Sequence, residues 1–203
     1  MKKHPAIAII EFGDIPAGMY ATDAMLKKAP LAFVKCGTVS HGRYLTVIGG
    51  MPAPVDESLS EGLRCGGTGV LDHLLLADVH PQVYDAILGQ RKVGGRGALA
   101  IVETDTVASN VRGAELALKG TPVDLIEIRL ADTGLSGKGV SLYQGELHDI
   151  EAAIGMVVGF AKAAGAAVRY RIIPSPHEAL TRQVEISTLF GSSRILAIDG
   201  EDV

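Results

Sequence analysis

Tryptophan is absent from the 203 residues, and all aromatic residues together make up only 4%. A core with so few large rings must be built from Ala, Val, Ile and Leu, small side chains that favour closely layered elements. Positive charge is not in excess. The formal net charge is −4 and no basic stripe with interleaved aromatics is present, so nothing electrostatic points to nucleic acid. Cysteine is scarce: Cys36 and Cys65 form no C-x-x-C pair, and reduced thiols in a cytosolic protein are expected. No segment reaches the roughly 18–20 uninterrupted apolar residues of a membrane helix. The longest candidate, IEAAIGMVVGFAKAAGAAV, carries Glu151 and Lys162 and is expected to form a buried helix. The opening MKKHPAIAIIEFGD turns acidic after a short apolar run and does not read as a signal peptide.

What is present is globular in character, with 47% apolar residues, 21% charged residues and 25 glycines. The length suits one large domain or two of about 100 residues. Two copies are in fact legible. Residues 6–30 (AIAIIEFGDIPAGMYATDAMLKKAP) align with residues 98–122 (ALAIVETDTVASNVRGAELALKGTP) at an offset of 92, which places Ile9 on Ile101, Glu11 on Glu103, Lys27 on Lys119 and Pro30 on Pro122. A three-residue insertion then changes the offset to 95, so that Gly42 meets Gly137 and Gly50 meets Gly145. Each copy runs from a β-rich segment to a helical one, then two β segments around a polar turn, a second helix and a closing strand. The order β-α-β-β-α-β predicts an α+β chain of two tandem ferredoxin-like units. Each unit would pack two helices on one sheet face, leaving the other face and the edges to be covered by association. The expected division is a first domain over 1–90, a flexible glycine-rich basic linker over 91–97, a second domain over 98–183 and a tail over 184–203.

The duplicated turn is T-V-S-H-G-R (38–43) in one copy and T-G-L-S-G-K (133–138) in the other. With I-I-E-F and I-V-E-T at the copy starts, D-A-M-L-K-K-A-P (23–30), E-L-A-L-K-G-T-P (115–122) and I-I-P-S-P-H-E (172–178), these turns resemble bacterial microcompartment shell proteins with tandem BMC domains. Among these the chain is most similar to the non-permuted trimeric shell proteins of propanediol-type compartments. The resemblance covers residues 6–183 and implies a structural tile, a homotrimer with six quasi-equivalent domains that packs edge to edge with hexameric shell proteins. It implies a central pore for small polar metabolites, lined by Val39, Ser40, His41 and Gly42 from one copy and by Gly134, Leu135, Ser136 and Gly137 from the other. Glycine permits crowding and positive φ in such turns, and serine and histidine supply hydrogen bonds. Three copies of His41 near one axis would make the charge there respond to pH. The resemblance also puts Lys27 and Lys119 at the edge where tiles meet, their stems packing while their ammonium groups reach carbonyls. Some relatives carry arginine where this chain has Ser175. Propanediol-type relatives hold an iron–sulfur cluster at the pore through one cysteine per subunit. The matching residue here is Ser40, so no cluster, metal or other cofactor is expected.

Other motifs read as structure. His80 and His177 adjoin prolines at equivalent places and are expected to end strands rather than bind metal, while His4, His73 and His148 show no ligand spacing. G-G-T-G (66–69) and G-G-R-G (94–97) lack a phosphate-loop context and read as turn and linker. Glu11 and Glu103 recur at equivalent sites, which suggests a common structural contact. No nucleophile, base and orienting group can be assembled, so no catalytic residue and no enzyme is expected. In the tail, R-I-L-A-I-D reads as a short strand and G-E-D-V as a disordered end; the tail is expected to pack on its own chain, with cargo contact the alternative. The rival functions are electron transfer through a pore cluster and a ligand-sensing regulator binding between the copies.

Overall fold

The computed structural model describes residues 4–198. The first copy contains β1 (Ala6–Phe12), α1 (Ile15–Lys28), β2 (Phe33–Thr38), β3 (Tyr44–Gly50), α2 (Pro52–Gly66), β4 (Val70–Leu76) and α3 (Pro81–Ile87). The second contains β5 (Ala98–Thr104), α4 (Val107–Gly120), β6 (Asp124–Leu130), β7 (Gly139–Gly145), α5 (Leu147–Ala163), β8 (Val168–Ile173) and α6 (Glu178–Ile186). The strands form two antiparallel four-stranded sheets, ordered β2-β3-β1-β4 and β6-β7-β5-β8. This is the α+β split arrangement that the order of elements predicts. The repeat extends to register: Glu11 pairs with Leu45 and Asp72, and Glu103 pairs with Val140 and Arg169.

Alternation along the strands gives each sheet two apolar faces. In the first copy Ala6, Ala8, Ile10, Phe12, Tyr44 and Ile48 face Ala21 and Met25 of α1 and Val55 and Leu59 of α2. The matching face of the second copy packs on α4 and α5 through Val111, Ala114, Ile150 and Ile154. Volume is exchanged between helix and strand across the repeat. Gly18 lies beneath Tyr44, where a Cβ would sit 2.5 Å from the tyrosine; the equivalent second-copy pair is reversed, with Asn110 above Gly139. Close packing is kept by placing the larger side chain on opposite elements.

Two helices, α3 and α6, follow the closing strands and were not anticipated from sequence. His80 and His177 are their N-caps: Nδ1 of each accepts from the backbone N–H two residues on, that of Gln82 at 3.3 Å and of Ala179 at 3.2 Å. The two histidines therefore start helices, which corrects the expectation that they merely end strands. These helices supply cover for the second sheet faces. Ala86 and Ile87 line a cavity with Leu45 and Val47, and Val184 packs against Leu99, Ile126 and Leu142. The connection from α3 to β5 is anchored at its start, where the Lys92 N–H donates to Ile126 O at 2.9 Å and Arg91 Nε to Glu127 Oε2 at 2.5 Å. Residues beyond α6 first pack on their own chain, through Thr188 to Glu127. Arg194–Ile198 form no strand, against expectation. Asp199 and the G-E-D-V segment lie outside the described residues. No helix among those described is long and apolar enough to cross a membrane.

Candidate functional site: the seam between the repeats

The duplicated turns meet each other. In the first, the Val39 N–H donates to Arg43 O at 2.9 Å, and His41 and Gly42 take φ 68°. In the second, the Ala131 N–H donates to Lys138 O at 3.1 Å, with Gly134, Ser136 and Gly137 at φ 93°, 51° and 84°. Ser40 joins the two: its N–H and hydroxyl donate to Ala131 O at 2.9 and 2.6 Å, and its Oγ accepts from the Gly137 N–H at 2.8 Å. Arg43 adds a second clamp, with Nη1 donating to Gly137 O at 2.7 Å and to Asp105 O at 2.9 Å. A Cβ at position 137 would lie 2.6 Å from the guanidinium carbon, so a side chain here would push Arg43 out of its clamp and be strained at φ 84°. His41, Gly42, Gly134 and Ser136 are exposed, Val39, Ser40 and Leu135 half-buried, and Gly137 buried.

Carboxylates flank the turns. Glu11 is buried; its Oε1 accepts from the Ala108 N–H at the start of α4 at 2.7 Å, while its Oε2 has no hydrogen-bond partner and lies 3.8 Å from Arg43 Nη1. Burial pushes the Glu11 carboxyl up to about 7, with the Ala108 N–H opposing, Asp72 adding and Arg43 opposing. Asp72 is held by the hydroxyls of Thr106 at 2.5 Å and Ser109 at 2.9 Å. Glu103 is partly exposed instead and bonds Lys138 at 2.8 Å and Arg169 at 3.2 Å, the Lys138 hydrogen bond above all holding its carboxyl below the usual range. The two glutamates therefore do not share one contact, contrary to the expectation from their recurrence: Glu11 is sealed in the seam and Glu103 faces outward.

Away from the turns the seam continues through α4. Glu115 is buried and accepts from the His80 N–H at 3.0 Å and from Lys119 Nζ at 2.8 Å, and Lys119 also donates to Asp78 O at 2.5 Å. Glu115 raises the Lys119 ammonium above its ordinary value. Lys27, its repeat equivalent, pairs among the described residues with Asp23, at 2.6 Å on the exposed side of α1. The two lysines are thus not in like surroundings within one chain. Sequence reasoning passed over Arg43 and Glu115, although Arg43 aligns with Lys138 and both stand at repeat-equivalent places.

A cavity of about 370 Å3 lies on the seam between Lys35–Val39 and Ile128–Leu130, and the Arg129 side chain on its wall is paired with Asp132 at 2.5 Å. The turns themselves do not fit an iron–sulfur cluster. The oxygen of Ser40 is occupied on both sides by the other turn, and the nearest thiol in sequence, Cys36, stands on β2 opposite Thr46.

Residues 6–79 and 98–176 each match the family model of the BMC domain. Over 179 residues the chain is 34% identical to the bacterial microcompartment shell protein PduT of Citrobacter freundii, covering 88% of this chain and 97% of that one. It is also 34% identical over 79 residues to the carboxysome shell protein CcmK2 of Synechococcus elongatus, covering 37% of this chain and 78% of the relative. Among solved structures, a microcompartment protein from Desulfitobacterium hafniense superposes with a TM-score of 0.77 at 35% identity, over 89% of this chain and 99% of its own. A fused permuted hexameric shell protein shares the fold at 17% identity and a TM-score of 0.59, over 82% of this chain and 86% of its own.

Proposed function

The chain belongs to the BMC-domain family and is a bacterial microcompartment shell protein, and on that premise we propose that three copies close head to tail into a pseudohexameric tile with a pore ringed by the duplicated turns. A contact that joins two different surfaces either closes into a ring or runs on as a filament. Two repeats per chain, related as neighbours, need three chains to complete six positions.

The observation that carries this reading is an interface present once within the chain and half-made at each end. Val83 and Ile87 of α3 are 0% exposed, and Gln82 Oε1 accepts from the Leu125 N–H on the edge of β6 at 2.9 Å. Leu125 and Ile128 on that edge are 2% and 6% exposed. Their register equivalents on β2 are Val34 and Cys36, since Val34 pairs with Ile48 as Leu125 does with Tyr143, and Cys36 with Thr46 as Ile128 does with Ser141. Yet Val34 is 39% exposed and Cys36 is exposed too. Leu180 of α6, which corresponds to Val83, is 41% exposed. The bare β2 edge and the bare side of α6 are complementary halves of the seam that α3 and β6 fill.

In the closed ring the turns alternate around the axis, with Val39, Ser40, His41 and Gly42 from one repeat and Gly134, Leu135, Ser136 and Gly137 from the other. Ser40 and Arg43 lock each pair into a rim, and the exposed His41 and Ser136 offer polar groups to small metabolites that pass by diffusion. No chemical step is assigned. Val34→Asp places a charge on the β2 edge without touching the chain's own core. The expected outcome is a folded monomer by light scattering where the wild type is a trimer; a trimeric variant would count against the ring.

A further inference from the structure

Within the chain, the patch made by the end of β1 and the start of β4 faces the N-terminus of α4. That patch is acidic, and α4 answers it with donors: the Ala108 N–H to Glu11 at 2.7 Å, and the Ser109 and Thr106 hydroxyls to Asp72 at 2.9 and 2.5 Å. In the second repeat the matching patch is Glu103 with Arg169, because β5 and β8 pair Glu103 with Arg169 as β1 and β4 pair Glu11 with Asp72. The helix that corresponds to α4 is α1. Its N-cap is Asp14 where α4 has Thr106, and this carboxylate accepts from the Ala17 N–H at 2.8 Å. Pro16 stands where α4 has Ala108, so the donor that reaches Glu11 in the inner seam has no counterpart.

One residue on each side of the contact has therefore changed its chemistry, Asp72 to Arg169 on the patch and Thr106 to Asp14 on the helix, while the glutamate is kept. A carboxylate faces hydroxyls and an amide in the inner seam; a guanidinium is available to face a carboxylate in the outer one. Arg169 is exposed and uses only Nη1 for its contacts with Glu103 at 3.2 Å and Asp105 at 3.6 Å, and its planar fork has further donors for a second carboxylate. We propose that Arg169 binds Asp14 of the partner subunit, and that this ion pair helps to close the outer seam. It rests on the head-to-tail ring proposed above. Within the chain α4 already covers the Glu11–Asp72 patch, so the Glu103–Arg169 patch is the one left for the α1 of a partner.

Light scattering on the wild type, Arg169→Asp, and Arg169→Asp combined with Asp14→Thr tests the pairing, with circular dichroism melts reporting the fold of each. Threonine keeps the helix cap and rebuilds the hydroxyl-to-carboxylate contact of the inner seam. The expected result is assembly weakened about tenfold or more by Arg169→Asp, and returned toward the wild-type level by the second change. A trimeric wild type whose assembly is indifferent to Arg169→Asp, or a folded double variant with no recovery, overturns the pairing alone. A monomeric wild type overturns the ring and the pairing together.

Discussion

Arg43 and Lys138 occupy the same place in the repeat but bind differently. Lys138 closes on Glu103 at 2.8 Å, whereas Arg43 reaches into the other turn and stays 3.8 Å from Glu11. Glu11 is left buried with one oxygen unpaired, and its carboxyl rises to about 7. The folded chain then binds a proton more tightly than the unfolded one at this site. Stability from this group is complete below the ordinary glutamate value of about 4.5, falls as pH rises, and is lost through about 7. The whole effect is on the order of 3–4 kcal/mol, from about 1.4 kcal/mol for each pH unit between 4.5 and about 7. Glu11→Gln, which cannot ionise, is expected to remove this decline: between pH 5 and 8 its melting temperature should fall less than that of the wild type. An identical pH slope in both proteins would remove the role given to Glu11. That Glu11 and Glu103 correspond was legible in the alignment. That one is sealed and the other solvated was not, because burial depends on which helix N-terminus lies opposite.

At the scale of elements, the eight strands and four long helices followed from period and repeat, but α3 and α6 did not. PQVYDAI has seven residues in α3, too few for helical periodicity to separate from a turn, and an isolated helix of that length is not stable in water. It forms because His80 caps it, Pro81 opens it with a preset φ, and its apolar side chains find a sheet face and a neighbouring edge. The same position in the second repeat has only one of those walls. Ile87→Ala is therefore expected to destabilise the dilute chain by about 2–5 kcal/mol in urea unfolding. Leu180→Ala, at the place equivalent to buried Val83, should cost less than about 1 kcal/mol there and show its effect on assembly instead. Equal losses in dilute solution would mean that α6 is already fully packed.

At the scale of the whole molecule, the two lysines expected at the tile edge have separate circumstances. Lys119 reaches across the inner seam to Asp78 and pairs with Glu115 on its own helix, while Lys27 pairs, among the described residues, with its helical neighbour Asp23. Replacing both would disturb the seam as well as the edge. Lys27→Ala is the cleaner probe, expected to leave the trimer intact and to abolish or sharply reduce two-dimensional sheets in electron micrographs. Unchanged sheets would refute an edge role for Lys27. In the C-terminal segment Phe190 and Ile195 are exposed apolar side chains.

The duplication, the strand and helix order, the family and the places of the two turns were legible in the residues alone, because these depend on local periodicity and on residue types that recur at a constant spacing. The sequence could not decide how the copies meet. Ser40 reads as a free polar group in the chain and is in fact a bridge between turns; Arg43 reads as a loop cation and is a clamp; α3 reads as a strand ending and is the wedge between repeats. Each of these depends on what lies across a gap of some 35–100 residues, where no short-range pattern operates. Only the tertiary structure brought those partners together, and with them the difference between a filled seam inside the chain and the open one at its ends.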